Sequence, residues 1–337
     1  MIGTFYVWAA LLVFLATAGL GFIGLPILQR LNVGQKQREL GPKSHLKKDG
    51  TPTFGGVLFI IPITLAGFIM ALLRPEWGTL SLTLFSLALG AIGFADDYVK
   101  VRVNKKGLSE KQKSIAILSV VILFAVWYLY LRETPPFFIM PFSQAYIEIT
   151  GIWKLLYLIF MVFYFYACTN AVNFADGIDG LCVSVTAVVA FFMATVAVRF
   201  ADSFAEQGLT DMFHGQGLLS VILLAGCLGF LVHNRHVARV FMGDTGSLML
   251  GALVSGIMML QGYPWAFLLA GVIYVAEIGS VLLQRIYFRK TGGKRIFLMS
   301  PIHHHYELKG WSEWKIVIVF SAVTLAGSIM SYLVLRV

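Results

Sequence analysis

The sequence predicts an all-α integral membrane protein of about ten transmembrane helices. Both termini are expected outside, with the polar, chemistry-bearing loops gathered on the cytoplasmic face. Three observations predict this. The 337-residue chain is 58% hydrophobic and 13% charged, with a mean hydropathy of +0.80, whereas soluble domains hold roughly 45–50% apolar and about 25% charged residues. Apolar runs long enough for a ~30 Å hydrocarbon core recur along the whole chain. The connections between those runs alternate sharply in basic content.

The runs fall near 4–28, 54–73, 79–95, 114–131, 152–168, 181–200, 217–232, 247–262, 264–283 and 316–336. Stretches this continuous read as helices, because lipid offers no other partner to an open backbone. The first run, in MIGTFYVWAALLVFLATAG, has no Lys or Arg ahead of it, so it reads as a retained span and not a cleaved signal. The connections 29–53, 96–113, 169–180, 233–246 and 284–315 carry every Lys and Arg except Arg74, Arg132, Lys154, Arg199 and Arg336. The positive-inside rule places that set in the cytoplasm and both termini on the other side. For most of these cations, topology and contact with anionic lipid are sufficient reasons to exist. The net charge of +9 is therefore no footprint of nucleic acid. Cys168, Cys182 and Cys227 lie in or beside apolar runs without paired spacing, which gives neither a disulfide framework nor a zinc site. There is no Pro/Ser-rich linker and no internal repeat, so 1–337 reads as a single polytopic domain.

Chemistry collects in the basic set of loops. HLKKDGTPTFGG brings Lys48, Thr53 and a Gly55-Gly56 pair to the entry of the second span, a weak phosphate-loop pattern without Walker spacing. GFADDYVK ends the third span on Asp96 and Asp97. Adjacent carboxylates at a membrane edge repel each other and call for a cation. Mg²⁺, a hard ion that takes oxygen ligands, suits them. The plainer reading is a solvated helix end balanced by Lys100 and Arg102.

NAVNFADGIDGL sets Asn170, Asn173, Asp176 and Asp179 three residues apart, a spacing that shares one helical face. Gly177 and Gly180 then loosen or end the turn. This loop, alone in its set, has no Lys or Arg, and its amides and carboxylates suit a polar ligand better than they suit a simple cap. HNRHVARVFMGDTGSL puts Asp244 just before the eighth span, where it fits an N-cap. The same helix start favours a phosphate or its metal complex, and Asn234, His236, Arg239 and Phe241 precede it. PIHHHYELKGWSE holds His303, His304 and His305 in the last loop of the set. Consecutive residues on a helix point about 100° apart, so one shared metal is a poor reading and three separate roles a better one.

These stretches, in this order, resemble the polyprenyl-phosphate N-acetylhexosamine-1-phosphate transferases. GTPTFGG, GFADDYVK, NAVNFADGIDGL, FMGDTGSL and PIHHHYELKGWSE span residues 50–313. The doubly basic HLKKDGTPT and the triple histidine favour the phospho-N-acetylmuramoyl-pentapeptide transferase branch. One departure is NFADG, with Phe174 and Ala175 where the family pattern has Leu and Thr. The polar spacing is unaffected.

The resemblance implies a bacterial cytoplasmic-membrane enzyme, a homodimer that uses UDP-N-acetylmuramoyl-pentapeptide, undecaprenyl phosphate and Mg²⁺. It implies that Asp244, helped by Asp97, holds the ion, and that Asp96 binds or deprotonates the lipid phosphate. It also implies that His303 meets phosphate or substrate, with His304 and His305 nearby and Lys100 and Lys113 guiding phosphates. Lys48, Thr53, Asn170, Asn173, Asp176, Asp179, Asn234 and Phe241 would form the substrate pocket, with Phe241 able to stack on uracil. One-step transfer and a covalent aspartyl-phosphate route both remain open. Two alternatives stand beside this: a GlcNAc-1-phosphate transferase on the same lipid, and a secondary transporter. Transporters keep ionisable groups near the midplane. Here Glu277 is the only carboxylate well inside a span, and its expected polar partner is not evident from the sequence.

Overall fold

The computed structural model describes residues 2–31, 33, 50–73, 76–143 and 145–335. Among them, nine helices are long and apolar enough to cross a membrane, or up to ten if one bent pair counts as a span. In order they are α1 (Ile2–Arg30), α2 (Gly56–Leu73), α3 (Trp77–Arg102), α4 (Glu110–Val126, which widens into a π-helical turn at Trp127–Leu131), α5 (Trp153–Phe174), α6 (Leu181–Ser203), α7 (Thr210–Asn234) and α8 (Gly243–Leu260). Then come the short α9 (Phe267–Ala270), α10 (Val272–Lys290), the short α11 (Ile302–Leu308) and α12 (Glu313–Leu335).

The apolar run expected as one span at 264–283 is not a single straight helix. A 3₁₀ turn at Pro264–Ala266 leads into α9, and the chain then turns by 83° into α10. Gly271 sits at the break, where a Cβ would meet the Phe267 carbonyl. A two-stranded antiparallel hairpin, β1 (Phe137–Ile139) on β2 (Tyr146–Glu148), fills the connection between α4 and α5 at the opposite end from the motif loops. Its register pairs Phe137 with Glu148 and Ile139 with Tyr146.

α8 is the hub of the bundle. It is 89% buried, whereas the apolar stretch of α1 is 28% buried and shows Leu11, Leu12, Leu15, Phe22 and Ile23 to the outside. α2, α3, α5, α6 and α7 all pack on α8. Small residues make this possible, as is usual where lipid supplies no hydrophobic drive between helices. A Cβ on Gly93 of α3 would strike the backbone of Asp244, and one on Gly56 of α2 would strike Gly246. These two close approaches bring the motif-bearing ends of α2, α3 and α8 to one place. There the backbone of the first loop pairs with the loop before α8: Gly55 N donates to Phe241 O at 2.8 Å, Gly56 N to Met242 O at 3.0 Å, and Phe241 N to Pro52 O at 2.9 Å.

Candidate active site

The site is built where α3 ends against the start of α8. Asp96 and Asp97 lie in the last turns of α3 and are 2% and 3% exposed. Asp97 turns toward α8 and caps it. Its Oδ1 accepts the Asp244 N–H at 3.2 Å, and its Oδ2 accepts the Thr245 N–H at 2.9 Å and the Thr245 hydroxyl at 2.7 Å. A carboxylate on free N–H groups at a helix start is favourable on hydrogen-bond and dipole grounds alike. The cap on α8 therefore comes from another helix, and the Asp244 side chain is released from that duty. Thr53 is buried beside this corner, its hydroxyl against the space a Gly243 Cβ would need.

Asp244 instead faces two lysines and an amide. Its Oδ2 lies 2.7 Å from Lys100 Nζ and 2.5 Å from Lys113 Nζ, and its Oδ1 accepts Asn173 Nδ2 at 2.9 Å. Asn173 Nδ2 also donates to Ser247 Oγ at 2.7 Å. Lys100 Nζ is 2.8 Å from Asp96 Oδ2 and 3.8 Å from Asp97 Oδ1, and Lys113 Nζ is 3.4 Å from Asp96 Oδ2. The second oxygen of Asp96 accepts the Leu108 N–H at 2.7 Å. That contact needs the chain to fold back over α3, and Gly107, with φ +76, makes the turn where a Cβ would strike Asp96 and Lys100. Lys113 is placed one turn into α4 by a capping box, Ser109 with Gln112.

Three carboxylates thus share two ammonium groups, which leaves one negative charge in excess. Asp176, in the loop after α5, feels that excess. Desolvation, then the Asp244, Asp97 and Asp179 carboxylates, hold its carboxyl well above the ordinary range. An all-oxygen donor set with surplus negative charge fits a hard divalent ion such as Mg²⁺. Each carboxylate has about four lone-pair sites, so Asp97 can cap α8 and still offer an oxygen.

A second group lies beside the first. Asp179 Oδ2 accepts the Ala238 N–H at 2.9 Å and lies 3.3 Å from His236 Nδ1. Glu313, at the start of α12, accepts the Asp179 N–H at 3.2 Å and lies 3.7 Å from the same imidazole. Asn234 ties the two loops together, accepting the Gly180 N–H at 3.2 Å and donating to Val240 O at 2.9 Å. Asn234 is only 3% exposed, so its contribution to a pocket is the shape of the two loops. Phe241 is partly exposed on the same loop. Asn170 Nδ2 bonds back to Tyr166 O at 2.7 Å within α5. Lys48 lies outside the described residues.

The three histidines have three different partners. His303 Nδ1 is 3.0 Å from Glu277 Oε2, which supplies the polar partner the sequence left unnamed. His304 Nδ1 is 2.7 Å from Glu307 Oε2. His305 Nδ1 accepts the Leu298 N–H at 3.1 Å, and burial and then Lys309 push its pKa down, so this ring stays neutral. Gln284 holds the same loop by accepting the Ile296 and Phe297 N–H groups at 3.0 and 3.1 Å. The expected result of single alanine replacements follows from this division. His303→Ala lowers turnover most of the three, by at least about tenfold, the cost of one lost substrate hydrogen bond. His305→Ala has the smallest effect, and none of the three changes the amount of bound metal. Initial rates across a Mg²⁺ titration, with metal content measured separately, check this. A common loss of metal in all three variants would make the run a metal site.

Sequence reasoning missed Leu108 and Glu313, read Thr245 and Ser247 only as a helix start, and singled out Glu277 without naming its partner. Their roles arise from contacts between distant helices, and the only local signals were the polar character of Thr245 and Ser247 next to Asp244 and the place of Glu277 inside a span.

The chain is similar to known proteins over almost its whole length. The glycosyl transferase family 4 model matches residues 79–262, which contain both aspartates of α3, the α5–α6 loop and Asp244. A phospho-N-acetylmuramoyl-pentapeptide-transferase of Acetivibrio thermocellus is 41% identical over 332 residues, covering 98% of this chain and 96% of the relative. Those of Listeria monocytogenes and Carboxydothermus hydrogenoformans are 43% and 41% identical, covering 91% and 98% of this chain and 91% and 99% of the relatives. The chain belongs to glycosyl transferase family 4 and, within it, to the family of the phospho-N-acetylmuramoyl-pentapeptide-transferases.

Proposed function

We propose that the chain transfers phospho-N-acetylmuramoyl-pentapeptide from UDP to undecaprenyl phosphate, giving lipid I and UMP, with Mg²⁺ as cofactor. The observation that carries this is the gathering of Asp96, Asp97 and Asp244 around Lys100 and Lys113 at one end of a membrane bundle. A polyprenyl acceptor needs a site at the edge of the bilayer, and an anionic nucleotide needs cations and polar loops facing water. The concentration of basic loops at this end supports a cytoplasmic-face site in the bacterial inner membrane, with both termini on the other side.

Asp244 and Asp97 would hold the ion. When bound, Mg²⁺ would draw charge from the pyrophosphate oxygens of the UDP-sugar. The protein's own groups then divide the work. Lys100 and Lys113 each have three donors, so they can keep a carboxylate and take a phosphate oxygen as charge develops. Asp96, between these ammonium groups, fixes the acceptor phosphate and takes its proton where one is present. An acceptor oxygen forms the new bond to the β-phosphorus as the bond to the UMP oxygen breaks. The loops carrying Asp176, Asp179 and Asn234, with Phe241 beside them, form the nucleotide pocket.

The test is UMP release from the purified chain in lipid, with undecaprenyl phosphate and either UDP-N-acetylmuramoyl-pentapeptide or UDP-GlcNAc, with Mg²⁺ or a chelator. Release is expected only with the muramoyl substrate and Mg²⁺. Release with UDP-GlcNAc alone would assign the chain to the other branch, and undiminished release under chelation would remove the metal.

A further inference from the structure

Glu277 is fully buried in α10, inside a membrane-spanning segment, where a carboxylate is costly unless it has a specific partner. Its partner comes from a different element. Oε2 faces His303 Nδ1 at 3.0 Å and the His303 backbone N–H at 3.5 Å, across from the first turn of α11. Oε2 already accepts the backbone N–H, and an imidazole nitrogen that faces an accepting oxygen is the one that carries the proton. In that arrangement the ring is the Nδ1–H tautomer, and its other nitrogen, Nε2, has a lone pair to offer.

Where Nε2 points makes this more than a packing detail. His303 is 0% exposed, and Nε2 has no hydrogen-bond partner among the described residues. Buried polar atoms of native proteins are almost always satisfied, and an exception needs an explanation. The imidazole edge occupies the space a side chain on Gly177 would fill: a Cβ there would collide with Nε2 and Cε1. Gly177 follows Asp176 and precedes Asp179 in the loop assigned to the nucleotide-sugar. The unpartnered acceptor is aimed at that loop from behind, and only a residue without a side chain lets it approach.

We propose that Glu277 is a positioning residue that locks His303 as the Nδ1–H tautomer, so that Nε2 accepts a hydrogen bond from an N–H or O–H group of the bound nucleotide-sugar. This rests on the proposed function and deepens it, because it gives the His303 contact a direction. A lone pair cannot bind an unprotonated phosphate oxygen, so the partner of His303 is a donor group and not the pyrophosphate charge.

The experiment is nitrogen NMR on the full chain, labelled with ¹⁵N-histidine in lipid nanodiscs, with His303→Gln used to assign the signal. The wild type is expected to show a protonated Nδ1 and an unprotonated Nε2 for His303, and Nε2 is expected to shift when UDP-N-acetylmuramoyl-pentapeptide is added. Glu277→Gln is expected to lose the single-tautomer signature and lower kcat by about 10–100-fold, as removal of an orienting partner does. Glu277→Asp, which keeps the charge, is expected to recover part of both. An unprotonated Nδ1 in the wild type would overturn the proposal, and that measurement needs no variant to fold. The same tautomer in Glu277→Gln would overturn the positioning role. Full turnover in His303→Ala would overturn the substrate contact alone, leaving the transferase reaction itself to the UMP assay.

Discussion

Asp244→Ala lowers turnover by at least about 10³-fold and leaves a folded, membrane-inserted protein. The size follows from the several kcal/mol of charge stabilisation that a metal ligand controls, at 1.36 kcal/mol per tenfold in rate. The survival of the fold follows from the contacts. Asp244 opens α8 but does not cap it, since Asp97 receives the N–H groups of Asp244 and Thr245. Without the Asp244 carboxylate, Asn173 keeps its bond to Ser247, and Lys100 and Lys113 keep Asp96. Asp244→Asn sharpens the test, because it retains the size and a polar contact for Asn173 and loses only the charge. It is expected to be as inactive as the alanine. Initial rates over a Mg²⁺ titration, with thermal unfolding and size-exclusion profiles as controls, provide the measurement. Near-normal rates from a well-folded variant would refute the metal role.

The bundle was legible in the sequence because lipid imposes a single rule on every span. Runs of apolar residues had to be helices, and the placement of cations ordered their ends. The same rule hides the packing. α1 and α8 are both apolar, yet one is the rim of the bundle and the other its hub. The difference lies in Gly93, Gly56 and Gly246, whose importance depends on what faces them. The 83° turn between α9 and α10 was hidden within an apolar run, because Pro264 and Gly271 permit a break without requiring one.

The site was legible as residue types and only partly as roles. Asp96, Asp97, Lys100, Lys113, Asn173 and Asp244 do come together. That Asp97 caps another helix could not be read locally, since α3 and the start of α8 are almost 150 residues apart in sequence. The histidines were expected to act separately, and their three distinct partners are Glu277, Glu307 and the Leu298 backbone. Glu277 was the clearest anomaly in the sequence, a carboxylate inside a span. Its explanation had to wait for the one geometry that brings α11 beneath α10.

Asp96→Asn separates chemistry from nucleotide binding. Turnover is expected to fall by about 10²–10⁴-fold, the contribution of a positioned proton acceptor, while affinity for the UDP-sugar changes by no more than a few-fold. The geometry gives the reason. Asp96 Oδ1 holds the Leu108 N–H at 2.7 Å, and an asparagine carbonyl can keep that bond, so the loop over α3 stays in place. The other oxygen lies between Lys100 at 2.8 Å and Lys113 at 3.4 Å. An amide N–H₂ there would face two ammonium groups and accept no proton. Asp96 bonds Lys100, Lys113 and the Leu108 N–H, none of them in the loops at 175–180 and 235–242, so UDP-sugar affinity is expected to hold. Direct binding of UDP-sugar, together with kcat and the KM for undecaprenyl phosphate, resolves the two effects. A UMP burst without lipid acceptor would favour the covalent route, and its persistence in Asp96→Asn would exclude Asp96 as the nucleophile. If UDP-sugar binding collapsed while the bound complex still turned over normally, Asp96 would belong to the nucleotide and not to the lipid phosphate.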